Sequence, residues 1–389
     1  MIFRKKESLT DTQRRLYKFE ELPNFRWVKK FGLTTKSKCV LSSANIASPD
    51  LVRELSEAGQ FAELVHSFVP PKLVWRNLEL LSKPDFPLEE YTAIKGTTLV
   101  SSFRGSTAGV PGFIVYRPNK QQIVVAFSGT ATFMQTLNDI DAHQVRYPFG
   151  VDKNSCKVHA GFLRMYRGVR ESAFTALWKA LKEYETREIL IAGHSMGAAL
   201  SYLFILELLP LHEEHHVPND VKVKHAVFGA PRVGNRALVQ LFERTVNTFL
   251  SQRGVDSFVS NSVRAHNDGV PALPPQRFGY SHFTSEIFFL HHGCLYHIPP
   301  REREYTVFDV SHDEEGYSPA LLLHPRGGHN YYNGRDMEKV GRRIKWIDGA
   351  PVSGELRSGW ETKYLERLAK EKRRQASKQN ANKLPAKGG

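Results

Sequence analysis

The stretch Ile189-Leu-Ile-Ala-Gly-His-Ser-Met-Gly-Ala-Ala-Leu200 runs from a β-branched apolar segment, through a G-x-S-x-G pattern, into an alanine- and leucine-rich segment. This order predicts a buried strand, a sharp turn with Ser195 at its apex, and a buried helix. The residues two positions either side of the serine must lack bulk, and Gly193 and Gly197 meet that need. The pattern therefore predicts a nucleophilic serine at the C-terminal edge of a sheet, beside the Met196 amide.

A G-x-S-x-G pattern alone also fits an ordinary Gly-rich turn. The context favours the buried arrangement, because the segment after Ser195 is apolar on nearly every helical face, which is typical of a helix inside a large core. Its apolar residues are Leu200, Tyr202, Leu203, Phe204, Ile205, Leu206, Leu208 and Leu209. A loop is a poor explanation of this combination.

Strand and helix patterns alternate along most of the chain. Residues 112–127 predict a β-hairpin around a Pro-Asn turn, and Ser48 predicts the N-cap of a helix that runs to about residue 67. The other expected helices are 73–81, 162–183 and 337–347, and the other expected strands are 226–228, 263–265 and 286–290. The alternation predicts an α/β protein with a predominantly parallel central sheet, an antiparallel edge hairpin and helices on both faces.

Composition divides the chain into three parts. We expect a basic N-terminal leader at 1–47, an α/β domain at 48–350 and a basic C-terminal segment at 351–389.

The C-terminal segment contains a short amphipathic pattern. Trp360, Tyr364, Leu365 and Leu368 share one helix face, opposite lysines and arginines. Such a helix either docks on the body of the protein or lies on a membrane surface, and docking is the favoured interpretation. The polar sequence after Arg374 is expected to be disordered.

The 389-residue chain carries a formal net charge of +14, all of it from the two ends. Residues 1–38 and 363–389 each contribute +7, so the body between them is electrically balanced. A nucleic-acid-binding protein carries its positive stripe on the fold itself, so nucleic acid is not expected as a partner. The basic ends are either solvated or in peripheral contact with a membrane or lipid-droplet surface.

Several features favour an intracellular location. No apolar run approaches the roughly 20 residues of a transmembrane helix, and the N-terminus becomes polar at Arg4, without the apolar region of a secretory signal. Cys39, Cys156 and Cys294 are far apart and odd in number, which favours reduced thiols. We therefore expect a cytoplasmic protein, or one peripheral on lipid surfaces, with no obligate protein partner.

A nucleophilic serine needs an imidazole that accepts its proton and a carboxylate that orients the imidazole. In sites built on this kind of turn, the acid and the base follow the serine in chain order. Asp268 fits the acid, because an expected strand runs directly into it and Gly269 lets the loop turn. An Asx turn that ends the strand is the alternative interpretation of Asp268.

Two histidines compete for the role of the base. His329 lies in a Gly-flanked loop just before the last expected helix, where two glycines permit close backbone approach. Spacing alone leaves the choice between His329 and His324 open. His291, His292 and His297 lie in or beside an expected strand and are expected to be structural.

Six segments in order resemble the fungal-type class-3 lipase family, which has the α/β-hydrolase fold, over roughly residues 95–347. They correspond to the family's oxyanion strand and loop, its V-H-x-G-F element, its serine turn, the loop behind that turn, and its acid and histidine loops. In this chain they are Ile123–Thr130, Val158–Phe162, Gly193–Gly197, Phe228–Asn235, Asn267–Pro274 and His329–Tyr332. One such match means little, whereas six in order are specific.

The resemblance implies a role for each matched polar residue. Ser195 corresponds to the nucleophile, Asp268 to the orienting carboxylate and His329 to the general base and acid. Thr130, through its backbone N–H and hydroxyl, and the Met196 amide correspond to the oxyanion hole.

The segment 131–137 corresponds to a short lid that opens at an oil–water interface in the family. Ser128 stands where the family usually has arginine, and Thr136 or Leu137 stands where it usually has tryptophan. These departures lie outside the triad and concern how the lid behaves.

The resemblance implies a serine carboxylester hydrolase that cleaves acylglycerols through an acyl-enzyme, with a lipid ester as its partner and no cofactor or metal. A phospholipase or a short-chain esterase on the same triad is the close alternative, because groove shape selects the head group. A lipid-binding protein with weak or absent catalysis is the alternative from another class.

An H-E-x-x-H pattern at His212–His216 matches the zinc-protease motif. It lies in a charged connector between Pro210 and Pro218, whereas the zinc chemistry needs both histidines on one face of a stable helix and a third ligand. We therefore expect a solvated loop there.

Overall fold

The computed structural model describes residues 32, 34–66, 70–107, 109–129, 143–149, 155–210, 216–283, 286–311, 328–332, 335–336 and 359–381. Thr130, the lid segment 131–137, His324 and the expected helix 337–347 lie outside these residues.

The secondary structure of the described residues alternates between strands and helices along most of its length. The strands are β1 (Lys36–Leu41), β2 (Thr98–Arg104), β3 (Pro111–Arg117), β4 (Gln122–Phe127), β5 (Gln144–Arg146), β6 (Lys157–His159), β7 (Glu188–His194), β8 (Lys222–Phe228), β9 (Gly234–Asn235), β10 (Phe258–Ala265), β11 (Tyr280–Ser281), β12 (Glu286–His291), β13 (Cys294–Ile298), β14 (Val307–Val310), β15 (Tyr331–Tyr332) and β16 (Arg335–Asp336). The helices are α1 (Pro49–Val65), α2 (Pro71–Arg76), α3 (Leu78–Leu81), α4 (Ala160–Glu183), α5 (Met196–Leu208), α6 (Arg236–Arg253) and α7 (Trp360–Ala381).

An eight-stranded sheet in the order β13-β12-β10-β8-β7-β4-β3-β2 forms the centre of the fold. Its five inner strands, β12, β10, β8, β7 and β4, are parallel to one another. The hairpin expected at 112–127 is present as β3 and β4, and β2 extends it antiparallel at the edge. A second hairpin, β12–β13, closes the opposite edge and is not among the expected elements. The prediction of a predominantly parallel sheet with an antiparallel edge is confirmed.

Both faces of this sheet are covered, which explains why its central strands are apolar throughout. In β4, Ile123, Val125 and Phe127 join the core formed with α4, α5 and α6. The alternate residues Val124 and Ala126 join the core formed with α1 and α7. Because successive side chains of a strand point to opposite faces, a strand that is buried on both faces has apolar residues at consecutive positions.

Helix α1 begins where its capping residue predicts. The Ser48 side chain accepts a hydrogen bond from the Leu51 amide at 3.3 Å, and Pro49 occupies the first helical position. The single helix expected at 73–81 is instead two short helices, because the Asn77 side chain between them donates to the Leu73 carbonyl at 2.9 Å. Local side chain to backbone bonding of this kind competes with a continuous helix.

The C-terminal helix α7 docks on the body of the protein. Trp360, Tyr364 and Leu368 are buried in the same core as α1, and the Tyr364 ring stacks on Phe86 at 5.3 Å. Leu365, which the sequence also assigns to the buried face, is 42% exposed, so the contact face is narrower than expected.

The α7 backbone is helical to Ala381, so the expectation of disorder directly after Arg374 is wrong for residues 375–381. These residues are mostly Ala, Gln and Lys, which are strong helix formers.

The segment 1–47, which the sequence assigns to a leader, contains strand β1. This strand pairs in parallel with β14, so the end of the segment belongs to the fold. The division at 1–47, 48–350 and 351–389 otherwise stays a prediction. In the described part of the chain, none of the helices combines the length and the apolar character needed to cross a bilayer.

Candidate active site

Ser195 lies between the last residue of β7 and the first residue of α5, with φ 58° and ψ −123°. A non-glycine residue with positive φ is uncommon, and such strain is characteristic of functional turns. The Ser195 amide donates to the Phe228 carbonyl at 2.9 Å, which ties the turn to the end of the neighbouring strand β8. The serine is 5% exposed and lies at the C-terminal edge of the sheet, as the sequence predicts.

Gly193 and Gly197 are required at the turn because no side chain fits there. A Cβ on Gly193 would lie 2.5 Å from the Gly197 carbonyl oxygen and carbon. A Cβ on Gly197 would lie 2.1 Å from the Phe127 carbonyl oxygen. The pattern therefore reflects direct contact between the start of α5 and the end of β4.

We expect Gly197→Ala to lower the free energy of unfolding by about 4 kcal/mol or more, because a methyl group would overlap fixed backbone atoms. Urea unfolding followed by circular dichroism measures the change. Gly96→Ala is the matched control, since Gly96 has φ 72° but no atom within 4 Å of the position that a Cβ would take; its cost is about 1–2 kcal/mol from backbone strain alone. Equal losses in the two variants would contradict the steric explanation.

Asp268 follows β10 and is 3% exposed. Its Oδ1 accepts a hydrogen bond from the Val270 amide at 2.8 Å, which is the Asx turn considered from the sequence. Its Oδ2 lies 3.0 Å from Nδ1 of His329. The two interpretations of Asp268 are therefore compatible, because each uses a different oxygen of the same carboxylate.

His329 is 1% exposed and forms a buried pair with Asp268. A carboxylate on Nδ1 favours the tautomer with its proton on that nitrogen, which leaves Nε2 as the basic atom. His194, which directly precedes Ser195, donates from Nε2 to the His329 carbonyl at 2.8 Å. Asp268 and His329 are thus in direct contact, and the bond from His194 places this pair next to the turn that carries Ser195.

Gly229, at the end of β8, forms the wall behind the Asp268–His329 pair. It has φ 58°, and a Cβ there would lie 2.9 Å from Oδ2 of Asp268 and 3.0 Å from Cε1 of His329. A side chain at this position would displace one of the two groups. The glycine in the matched segment Phe228–Asn235 is therefore explained by the pair that it accommodates.

Tyr332 lies at the site, although the sequence alone predicts no role for it. Its hydroxyl donates to Oδ2 of Asp268, the same oxygen that faces His329, and accepts from the Ala265 amide at 3.2 Å. Burial, followed by the charge of Asp268, raises the pKa of Tyr332 well above 10.0, so it remains a donor at neutral pH. The available signal is its place three residues after His329 in the matched loop.

The predicted oxyanion hole lies only partly within the described residues. Met196 is fully buried and is the first residue of α5, so its N–H is not needed for the helical hydrogen-bond ladder and lies at the positive end of the helix dipole. The second predicted contributor, Thr130, lies outside the described residues. So do residues 212–215 of the H-E-x-x-H pattern.

A row of histidine rings extends from the site into the protein. The His194 ring lies 4.4 Å from that of His329 and 5.8 Å from that of His66. Burial, with the charge of His329 as a second cause, lowers the pKa of His66 from 6.5 to about 4. Burial also lowers the pKa of His225, which bonds Ser201 and Ser260 behind the site, to about 3.

These depressed pKa values predict acid sensitivity. Between pH 6.5 and about 4 the unfolded chain binds protons at His66 and His225 that the folded protein does not, so the free energy of unfolding falls as the pH falls. Each histidine contributes at most about 1.4 kcal/mol per pH unit. We expect His225→Gln to reduce this slope in urea unfolding between pH 7 and 4.5. The partly exposed His297→Gln is the control, and an unchanged slope in both variants would contradict the assignment.

A cavity of about 510 Å³ lies at the other end of the sheet. It is lined by Gln122, Glu188 and Lys222, at the starts of three parallel strands, and by charged residues of α1. The pair Arg117–Glu57, at 2.9 Å, is one of the ion pairs that stabilise it. Ligands of open α/β sheets bind at the carboxyl ends of the strands, so this cavity is not the candidate active site.

Comparisons with known proteins agree with the resemblance described from the sequence. Residues 124–278 match the family model described as lipase (class 3). A lipase from Rhizopus niveus is 28% identical over 184 residues, which are 47% of this chain and 43% of that protein. A secreted mono- and diacylglycerol lipase from Malassezia globosa is 29% identical over 183 residues, 45% of this chain and 54% of that protein. The chain thus spans about half the length of the curated relatives it matches.

The fold is also that of solved lipases. The structure of lipase II from Rhizopus niveus superposes with a TM-score of 0.54 at 19% sequence identity, covering 76% of this chain and 99% of that one. At this identity the likeness establishes the fold. The α/β-hydrolase fold expected from the sequence is confirmed.

The expected intracellular location is wrong. The relatives from Malassezia globosa and Fusarium solani are both named as secreted lipases. The three cysteines Cys39, Cys156 and Cys294, all of them described, form no disulfide. Free cysteines do not indicate an intracellular location, because an oxidising environment permits disulfides without requiring them.

Proposed function

Because residues 124–278 belong to the class-3 lipase family, we propose that this protein is a serine carboxylester hydrolase that cleaves acylglycerol esters. The observation that carries the proposal is the buried Asp268–His329 pair beside the strained turn of Ser195. The carboxylate–imidazole pair supplies the base that a serine hydroxyl needs, and a serine without such a pair is a poor nucleophile. Their occurrence at one edge of the sheet favours acyl transfer over lipid binding alone.

In the proposed reaction, Ser195 Oγ attacks the ester carbonyl carbon while Nε2 of His329 takes the hydroxyl proton. Asp268 holds Nδ1–H and stabilises the resulting imidazolium. The negative oxygen of the tetrahedral intermediate lies beside the Met196 amide and Thr130, the proposed oxyanion hole. His329 then protonates the leaving alcohol, and water, deprotonated by the same imidazole, releases the fatty acid from the acyl-enzyme.

The substrate class is proposed from the relatives, whose names specify lipases and mono- and diacylglycerol lipases. Hydrolysis of p-nitrophenyl esters from C2 to C16, followed by a comparison of triacylglycerol, diacylglycerol and phospholipid, tests it. A maximum at long chains with acylglycerol preference supports the proposal. Activity confined to short chains would favour an esterase, a phospholipid preference would favour a phospholipase, and no hydrolysis of any ester would favour a lipid-binding protein.

We also propose, as a separate matter, that the basic termini contact an anionic lipid surface. The apolar face of α7 is buried, so such contact would use its exposed basic residues, among them Lys363, Lys370 and Arg373. Each basic residue near an anionic surface contributes about 1 kcal/mol.

We expect replacement of these three side chains by glutamine to lower co-sedimentation with vesicles containing phosphatidylglycerol by roughly 10- to 100-fold in partition coefficient. Neutral phosphatidylcholine vesicles are the control. Binding that is unchanged by the replacements would remove α7 from this role.

A further inference from the structure

Three histidines lie together at the C-terminal edge of the sheet, on strands next to the candidate active site. His266 directly follows β10, His291 ends β12, and His292 lies in the turn between β12 and β13. One ring nitrogen from each lies within 4.8 Å of the other two. Among the described residues, this is the cluster of potential metal ligands that the fold brings together.

The backbone explains why the three side chains meet. Strands β10 and β12 are parallel neighbours, with Ala265 opposite Leu290, and the His266 amide donates to the Leu290 carbonyl at 2.8 Å. His266 and His291 are therefore level with each other at the strand ends. This register, set by the sheet, joins residues that are 25 positions apart in the chain.

His292 reaches the same side because the strand alternation ends there. Consecutive side chains of a strand point to opposite faces. His292 instead has φ 51°, and its ring centroid lies 3.9 Å from that of His291. A left-handed conformation at a non-glycine residue carries strain, which is a reason to look for a functional role.

We propose that His266, His291 and His292 bind a zinc ion. Imidazole nitrogen is a preferred ligand of zinc, and three histidines with water in the fourth position form a recognised coordination set. All three residues are partly exposed, whereas Nδ1 of His266 and both ring nitrogens of His292 are shielded from solvent. Entry of an ion therefore requires movement of the His292 ring. Zinc–nitrogen distances are about 2.0–2.1 Å, so the three nitrogens, which lie within 4.8 Å of one another, would move closer together when the ion binds.

Aromatic packing is the competing explanation for the cluster. The Phe289 ring stacks on that of His291, with 5.9 Å between ring centroids, and its centroid lies 6.3 Å from that of His266. Packing alone would accept any aromatic ring at these positions. It does not require that one nitrogen of each of three rings converge on a common point. The convergence, rather than the ring contacts, carries the proposal.

Zinc at this position would connect the β12–β13 hairpin to the loop that carries Asp268, two residues after His266. A ligand that binds only the folded state raises the unfolding temperature. Zinc is therefore expected to stabilise the protein as well as to bind it. Neither effect depends on the proposed hydrolase activity, so a failure of one proposal leaves the other standing.

Isothermal titration of the full-length, metal-free chain with Zn²⁺ tests the site. We expect one ion per chain, and at least a tenfold weaker affinity in His292→Asn. Asparagine tolerates the left-handed conformation of position 292, so this variant keeps the turn. His297→Asn is the matched control, since His297 is a partly exposed histidine in the same hairpin, paired with Glu286, outside the cluster.

A second measurement separates specific from surface binding. Excess Mg²⁺ should not displace the zinc, because magnesium prefers oxygen ligands. In thermal unfolding, zinc should raise the unfolding temperature of the wild type and of His297→Asn but not that of His292→Asn. Equal affinity in the wild type and His292→Asn, or loss of binding only in His297→Asn, would overturn the proposal.

Discussion

Replacing Ser195 with alanine is expected to lower kcat for ester hydrolysis by about a millionfold, the loss typical of removing a catalytic serine that acts together with its histidine. The Oγ atom is the only group that Ser195→Ala removes, and the turn itself depends on the backbone bond to Phe228, which the variant keeps. Initial rates with a long-chain p-nitrophenyl ester measure the effect.

The stability of Ser195→Ala is the control for this result. Its urea unfolding curve should overlap that of the wild type, because the serine is already held in its strained conformation by the backbone. Covalent labelling by a fluorophosphonate should occur in the wild type and be lost in the variant. A variant that folds normally and retains more than a hundredth of the activity would rule out Ser195 as the nucleophile.

Asp268→Asn is expected to lower kcat by about ten-thousandfold. The amide has nearly the same shape as the carboxylate, but it can donate to Nδ1 of His329 and thereby stabilise the tautomer with its proton on Nε2. That tautomer cannot accept the serine proton. The same ester assay measures the loss, and the unfolding curve reports whether the buried pair is still packed.

Tyr332→Phe tests the role of Asp268 with a smaller change. It removes a hydrogen bond to the carboxylate that His329 uses but leaves the carboxylate in place. We expect a loss of about tenfold, because a hydrogen bond to a charged group contributes about 1.5–3 kcal/mol and only part of this is felt in the transition state. If Asp268→Asn costs no more than Tyr332→Phe, Asp268 does not orient the base.

The parts of the fold that the sequence predicts well are those controlled by local rules. The Ser48 cap, the hairpin of β3 and β4, and the strand–turn–helix around Ser195 all follow from short-range sterics and hydrogen bonding. The sequence favours docking of α7 but does not define its exact face, because Leu365 lies at the edge of the apolar stripe. The narrowness of the contact depends on the shape of the surface that receives the helix.

The predicted site residues show the same distinction. Gly193 and Gly197 can be predicted from the sequence, because the local geometry of a turn of this kind excludes side chains at both positions. Tyr332 has no such local signature, since its hydroxyl matters only through an oxygen of Asp268, which is 64 residues away in the chain. The choice between His329 and His324 also needs the family resemblance, since spacing says nothing about which loop approaches the serine.

By itself, the sequence determined the class of the fold, the serine turn and the order of the acid and the base, because hydrophobic period, glycine sterics and chain order act over a few residues at a time. The tertiary structure decided which groups meet: Asp268 with His329 and Tyr332, and His266 with His291 and His292. These contacts join distant segments through strand register, and a register of the sheet exists only after its strands have paired.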